Sequence, residues 1–171
     1  MDLNAQLQYA IKLHRDGQAK EAFAIYRELL KLDPKHPDVL HLMGLALGEM
    51  GDHRAGVSRV QKALKITPKQ PHYLSSLGYL LMKTGKHKQA ERACRQSIKF
   101  DQKNPDSHNN LGLVLMELNR LNEAIVAFHD ADRIVGGFLK ARINLGNALR
   151  VSGKLEDALD AFSEAEKLDP K

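Results

Sequence analysis

Residues 71–104 read PHYLSSLGYLLMKTGKHKQAERACRQSIKFDQKN, and the pattern within this stretch recurs along the chain. Two series of residues repeat at an interval of 34: Gly17, Gly51, Gly85, Asn119 and Gly153 in one, and Gly44, Gly78, Gly112 and Gly146 in the other. A solenoid of stacked, similar units produces such a constant interval, whereas a single globular core does not. The sequence therefore predicts five tandem units and places function on a repeated surface rather than in one cleft.

The two series predict different structural roles. The first marks a turn between two helices, where a residue with positive φ ends the helix; glycine does this without a Cβ clash, and Asn119 is a common substitute. The second lies inside a helix, where glycine costs about 1 kcal/mol relative to alanine. Its recurrence predicts close packing against small residues of the following helix. These are Ala22, Gly56, Ala90, Ala124 and Ala158, again 34 apart.

The six prolines mark the edges of the units. Three follow a second helix and three begin the next first helix: Pro34, Pro68 and Pro170, then Pro37, Pro71 and Pro105. Asn104 before Pro105 is typical of a helix cap followed by a first-turn proline. The fourth junction, Val135 to Phe138, has two glycines instead, which predicts a glycine helix stop or, alternatively, a softer hinge.

These residues carry a family resemblance. The tetratricopeptide repeat has the pattern W-x2-L-G-x2-Y, then A-x3-F, then P over 34 residues. The last unit matches it at Leu145, Gly146, Ala158, Phe162 and Pro170, with Leu149 at the tyrosine position. The chain departs from the pattern in having no tryptophan and in placing leucine at the tyrosine position, which is similar to repeats of bacterial scaffold proteins and of O-linked N-acetylglucosamine transferases.

The resemblance implies an all-α fold, a right-handed α-solenoid of antiparallel helix-turn-helix repeats. One domain would span residues 1–171, with repeats at about 3–36, 37–70, 71–104, 105–138 and 139–171. Within it, Cys94 occupies the apolar slot that Phe128 and Phe162 fill in later repeats, so a buried and inert thiol is expected. The chain has no stretch of 18 apolar residues and no signal-like start, which favours a soluble cytoplasmic protein that reaches a membrane only through a partner.

The excess of positive charge lies in the second and third repeats, and most of it in the third. Residues 71–104 contain seven Lys or Arg and two Asp or Glu. Four of the basic residues, Lys88, Arg92, Arg95 and Lys99, are spaced to share one face of a helix. The face is either a solvated outer surface or an electrostatic patch for an acidic protein, a membrane surface or nucleic acid. No aromatic residues are interleaved with these bases, so nucleic acid is disfavoured.

The resemblance also implies where a ligand binds. First helices form the concave wall, and side chains six, three and two residues before the helix glycine, and one and four after it, face the groove. From these positions we expect a peptide-binding groove composed of Gln8, Ile11, His41, Leu42, Leu45, Ser76, Tyr79, Asn109, Asn110, Lys140, Asn144, Asn147 and Arg150. Its N-terminal part is apolar. The asparagines of the last two repeats resemble the asparagine ladder of O-linked N-acetylglucosamine transferase repeats, which reads peptide backbone.

Other specific sites are not indicated. Only Asn110 and Lys140 match the carboxylate clamp of chaperone-binding tetratricopeptide domains. The sequence has no H-E-x-x-H pair, no zinc-type Cys–His set, no phosphate-binding G-x-x-x-x-G-K-[ST] loop and no nucleophile elbow. We therefore expect no catalytic residues, no metal and no cofactor.

The sequence predicts a non-catalytic protein–protein interaction scaffold or adaptor that holds an extended peptide or short helix in its groove. One alternative is the substrate-recognition or targeting arm of a larger enzyme of the glycosyltransferase or sulfotransferase type. Another is a self-assembling scaffold, because Leu159 and Leu168 of the last repeat are expected to face no neighbouring repeat. In that case the C-terminal repeat would mediate self-association.

Overall fold

The computed structural model describes residues 2–169, and these residues form ten α-helices and no strand. The helices are 13 to 15 residues long. In chain order they are α1 Leu3–Arg15, α2 Ala19–Leu32, α3 Pro37–Glu49, α4 His53–Ile66, α5 Pro71–Lys83, α6 His87–Phe100, α7 Pro105–Glu117, α8 Leu121–Val135, α9 Leu139–Val151 and α10 Leu155–Leu168. Within the described range, none of them is long and apolar enough to cross a bilayer.

The helix starts follow from capping and proline chemistry. Three first helices begin at a proline, because the missing N–H is not needed in the first turn. Asn104 accepts a hydrogen bond from the backbone N–H of Ser107 at 3.1 Å and thereby caps α7. Asp52 caps α4 in the same way, with Oδ1 3.0 Å from the N–H of Ala55.

The turns within each repeat have the positive φ angles that the first series predicts. After α3, Gly51 has a φ of +90°, its N–H donates to the carbonyl of Gly48 at 3.0 Å, and the N–H of Asp52 donates to Leu47 at 2.9 Å. Both bonds satisfy carbonyls that the helix end leaves free. Asn119 has a φ of +58°. The fourth junction is a glycine helix stop as predicted, with Gly136 at a φ of +69° after a helix of 15 residues.

The helix glycines bring the two helices of a repeat together. A Cβ added at Gly112 would lie 2.5 Å from the ring of Phe128, and one at Gly44 would lie 2.9 Å from the carbonyl oxygen of Gly56. The predicted contact with the small residue at 56 is therefore confirmed. The contact also extends one helical turn further, to the bulky residue that fills the apolar slot. Cys94, which takes that slot in the third repeat, is fully buried, and burial raises the pKa of its thiol to about 12.

The pattern of helix contacts gives the array its curvature. Each first helix contacts the next first helix, as α5 does α7, whereas the backbones of consecutive second helices do not come into contact within residues 2–169. The first helices therefore form the inner, concave wall and the second helices form the convex side. The basic side chains of α6 lie on this outer side and are exposed, as predicted.

Candidate functional site

A cavity of about 590 Å³ opens on the concave wall where α5, α7 and α9 meet. A volume of this size is within the range of ligand-binding pockets. It is lined by Leu45, His72, Ser75, Ser76, Tyr79, Asn104, Asp106, Asn109, Asn110, Leu113, Lys140, Ile143 and Asn144. We call this cavity and its lining the concave groove.

The structure brings together some of the predicted groove residues and separates others. Those in the concave groove are Leu45, Ser76, Tyr79, Asn109, Asn110, Lys140 and Asn144. Those outside its lining are Gln8, Ile11, His41, Leu42, Asn147 and Arg150. Gln8 and Ile11 belong to α1, whereas the cavity lies between the later repeats.

Six lining residues are not among the thirteen that we expect to bind the peptide. His72, Ser75, Asp106, Leu113 and Ile143 occupy positions that the same spacing rule gives. Asn104 does not: it caps α7 and lies just before that helix. The Asn104-Pro105 pair is the sequence signal for a cap, but only the fold shows that the cap also borders the groove.

Hydrogen bonds tie consecutive first helices together along the concave wall. Asn110 Nδ2 donates to Ser75 Oγ at 3.0 Å, and Asn144 Nδ2 donates to Asn109 Oδ1 at 2.8 Å. The two residues of each pair are 35 positions apart in the sequence, one more than the repeat length of 34. The asparagines therefore use part of their hydrogen-bonding capacity inside the wall. An amide offers two N–H donors and an acceptor oxygen. Asn110 Nδ2 also donates to the carbonyl of Ser75 at 3.4 Å, so its donors are used within the wall, whereas Asn144 keeps one N–H.

The amide oxygens of Asn110 and Asn144 have no hydrogen-bond partner among the described residues. With the remaining N–H of Asn144, they give the wall acceptors and a donor for a ligand. The two internal bonds also hold the amides in place before a ligand arrives. A fixed donor and acceptor lose less conformational entropy on binding than mobile ones do.

The centre of the groove is apolar and its edge is charged. Tyr79, Leu113 and Ile143 supply apolar surface, and Ile143 is 42% exposed although it is a large aliphatic residue. Lys140 and Asp106 supply the formal charges, and neither has an ion-pair partner within residues 2–169. The groove thus offers an apolar contact flanked by amides, by one unpaired ammonium group and by one unpaired carboxylate.

His41 has a structural role beside the groove. Its side chain is 7% exposed and stacks on Tyr73 with ring centroids 4.5 Å apart. Burial, aided by the neighbouring His72, lowers the pKa of His41 to about 3, so the ring is neutral. His41 Nε2 lies 2.9 Å from Ser76 Oγ, and that hydroxyl donates to the carbonyl of His72. Because the hydroxyl proton is already donated, the pair is not arranged for proton abstraction from serine.

A hydrogen bond between Tyr73 and Asp38 also connects α3 and α5. The hydroxyl of Tyr73 donates to the carboxylate of Asp38 in a short hydrogen bond, and burial together with that carboxylate raises the pKa of Tyr73. The Nε2 atom of His108, on α7, lies 3.0 Å from the carbonyl oxygen of Gln102 and so is not part of this group. No group of three or more His, Cys, Asp or Glu side chains that could hold a metal occurs in the described part of the chain.

Five helix pairs with turns at a fixed interval, stacked into a curved array with an open inner wall, define a helical-repeat protein. Family models of the tetratricopeptide repeat match residues 13–78, 71–104, 93–126 and 139–171. The chain belongs to the tetratricopeptide repeat family. The resemblance and the all-α solenoid expected from the sequence are both confirmed.

Solved structures share this fold at low sequence identity. TTC0263, a thermophilic tetratricopeptide repeat protein from Thermus thermophilus, has a TM-score of 0.91 and 18% identity over 99% of this chain and 92% of that chain. MamA (41-end) from Desulfovibrio magneticus RS-1 has a TM-score of 0.76 and 22% identity over 99% and 96%. YrrB, described as a tetratricopeptide repeat protein with an unusual peptide-binding site, has a TM-score of 0.67 and 20% identity over 97% and 86%. No curated protein matches the sequence.

Proposed function

We propose that this chain is a non-catalytic scaffold that holds a peptide segment of a partner protein in the concave groove. Tetratricopeptide repeats support a protein-interaction scaffold in general. The observation that carries the finer proposal is the combination, in one cavity of about 590 Å³, of amides with unused hydrogen-bonding capacity and exposed apolar surface. YrrB, a structural relative with a peptide-binding site, supports the same interpretation.

The groove suits an extended peptide. Asn110 and Asn144 lie one repeat apart on the wall. Each offers its amide oxygen to the backbone of an extended chain, and Asn144 also offers an N–H. Such contacts are independent of the ligand side chains. Tyr79 and Leu113 would take an apolar side chain, and Lys140 would attract an acidic one. The amides thus hold the backbone, and the apolar and charged groups select the sequence.

The experiment compares partner capture by three versions of the protein. Tyr79→Ser with Asn144→Ala removes an apolar contact and a backbone contact at once. The partner, isolated from the source cell by the unaltered protein, is expected to bind this double variant at least tenfold more weakly, since each lost contact is worth roughly 1 kcal/mol or more. Binding is measured by titration of the purified partner.

The matched control is Gln89→Ala, which removes an exposed amide from α6 on the convex side. It is expected to leave binding unchanged. Asn144→Ala also removes the hydrogen bond to Asn109 and is expected to lower the free energy of unfolding by about 1 kcal/mol. Circular dichroism therefore confirms that the double variant is folded at the assay temperature. Equal affinity of the double variant and the unaltered protein would refute the groove as the binding site.

Self-association through the last repeat stays a prediction. Leu159 is 66% exposed and Leu168 is 43% exposed. Leu155, one turn before Leu159 on the same face of α10, is 61% exposed. Leu168 contacts the backbone at Gly137, with 3.2 Å to the position of an added Cβ, so part of its apolar surface is covered within the chain.

A further inference from the structure

A second groove lies on the convex side, between α6 and α8. The first helices of the third and fourth repeats are in contact, whereas α6 and α8 diverge and leave a cleft with α7 at its base. Cavities of about 440 and 390 Å³ occupy this cleft. They share Arg95, Ile98, His108 and Asp130, so they form one continuous surface, which we call the convex groove.

The base of the convex groove is apolar. Leu111 and Leu115 of α7 form the floor, and Ile98 and Ala127 form the lower walls. Val126 lies on the α8 side of the groove and is 59% exposed, although it is an aliphatic residue. The equivalent position one repeat earlier holds Arg92. The fourth repeat therefore presents apolar surface at a place where the third presents a charge.

An ionic bridge closes one end of the convex groove. Arg120, at the start of α8, lies 2.8 Å from Glu91 of α6 and 2.6 Å from Glu123. Arg95 completes the cluster with Glu91 at 2.9 Å. The bridge connects the N-terminal ends of α6 and α8, and the groove extends from there towards their C-terminal ends, where Arg133 lies.

The charge left without an internal partner is positive. On the α8 side, the carboxylates of Glu123 and Asp130 are paired with Arg120 and Arg133. On the α6 side, Lys99 lines the groove and has no ion-pair partner within the described residues. Lys88 and Arg92 continue the same helical face and are likewise unpaired and exposed, which gives this edge a basic stripe.

We propose that the convex groove binds an acidic segment of a partner protein that inserts an apolar side chain between α6 and α8. The apolar base would take the inserted residue, and the stripe from Lys88 to Lys99 would attract flanking carboxylates. Nucleic acid fits less well, because the lining offers no Phe, Tyr or Trp on which bases could stack. This surface is separate from the concave groove, so a chain that holds one partner inside can hold another outside.

The test is a selection from a phage-displayed library of random twelve-residue peptides, carried out in parallel on the unaltered protein and on Val126→Arg. This change fills the apolar part of the groove and adds a positive charge. It therefore separates the contribution of the apolar contact from that of electrostatic attraction. We expect a class of peptides that is enriched on the unaltered protein and absent on Val126→Arg, and that carries an apolar residue flanked by Asp or Glu. Synthetic members of this class should bind Val126→Arg at least about tenfold more weakly in fluorescence anisotropy titrations.

A matched pair of charge reversals tests the basic edge. Lys99→Glu should weaken the same peptides roughly fivefold, because a rim charge contributes modestly. Lys65→Glu makes the same change one repeat earlier, where Ser58 and Gln61 replace the arginines, and should have no effect. Asn110→Ala, in the concave groove, should also leave these peptides bound.

Two results would overturn the proposal. One is a selection that yields no peptides sensitive to Val126→Arg. The other is binding of a twenty-nucleotide RNA or of phosphatidylserine vesicles that Lys99→Glu weakens and Val126→Arg preserves or strengthens. That pattern would make the α6 edge a general anionic surface without an apolar contact.

Discussion

At the scale of the residue, the helix glycines have a clear physical explanation. Gly112 and Gly146 lie against the rings of Phe128 and Phe162, with added Cβ atoms 2.5 and 2.6 Å from the nearest ring carbon. No real Cβ tolerates such a distance, so either the ring or the helix would have to move. Close packing therefore requires glycine at these positions, although glycine has a low helix propensity.

Gly112→Ala should lower the free energy of unfolding by about 1–3 kcal/mol, the usual cost of overpacking a core. Alanine is the better helix former by about 1 kcal/mol, so a purely local effect would have the opposite sign. Urea denaturation followed by circular dichroism measures the difference. The control is Gly112→Ala combined with Phe128→Leu, in which the smaller side chain leaves room for the methyl group and the penalty of the alanine should largely disappear. A stabilised single variant would show that the contact with Phe128 is not tight.

At the scale of the element, consecutive first helices are joined by polar contacts. The pairs His41–Ser76, Ser75–Asn110 and Asn109–Asn144 each bridge two neighbouring helices. Among them, His41 is also packed against Tyr73 and faces Asp38. The interface between α3 and α5 therefore depends on a neutral imidazole.

This dependence predicts a pH effect on stability. An unfolded His41 takes up a proton near its ordinary pKa of 6.5, whereas burial, with a smaller contribution from His72, holds the folded pKa at about 3. Protons therefore favour the unfolded state between these values, and the free energy of unfolding should fall as the pH drops from 6.5 to 5, by at most about 1.4 kcal/mol per pH unit. Urea titrations at pH 7, 6 and 5 measure the slope.

His41→Gln should reduce the dependence of the free energy of unfolding on pH by the amount that corresponds to nearly one proton, because the variant lacks the side chain that takes up a proton on unfolding. The control, His129→Gln, changes an exposed histidine of α8 and should leave the slope as it is. If His41→Gln and the unaltered protein show the same pH dependence from 7 to 5, His41 is not the buried titrating group described here.

The elements differ in how far the sequence predicts them. The turns at Gly51 and Asn119 and the tight contact at Gly112 follow from the 34-residue interval, because each depends on one repeat alone. The hydrogen bond between Asn109 and Asn144 could not be predicted from the interval, because a 34-residue period would pair Asn110 with Asn144. The stagger between adjacent first helices shifts the pairing by one residue. The convex groove also depends on the angle between repeats, which no single repeat encodes.

At the scale of the whole molecule, the core is continuous but unevenly distributed. One buried cluster joins residues of α1, α2 and α3, and a larger one extends from α3 to α10. Leu30 of α2 contacts both clusters. Helix α1 contributes a single buried residue, Ala10, whereas α5 contributes eight. In an array of this type, stability is a sum over neighbouring repeats, so the helices with little buried surface are expected to open first.

Hydrogen exchange measured by mass spectrometry should show this order. Amides of residues 3–32 are expected to exchange faster than those of residues 71–117, because opening the first repeat exposes only the smaller cluster. Leu29→Ala, which removes a side chain that is 5% exposed, should speed exchange in residues 3–32 and leave residues 71–117 nearly unchanged. Equal protection across both ranges would mean that the molecule opens as one cooperative unit.

The bonds between residues 35 apart have an evolutionary consequence. When recombination deletes or duplicates 34 residues, each wall residue still lies opposite a wall residue of the adjacent first helix. The identity of the two contacting side chains changes, but their positions in the structure do not. An insertion of any other length within a helix shifts the wall residues away from their partners. Exchange of whole repeats therefore changes the order of contacts along the recognition surface and keeps the geometry of the wall.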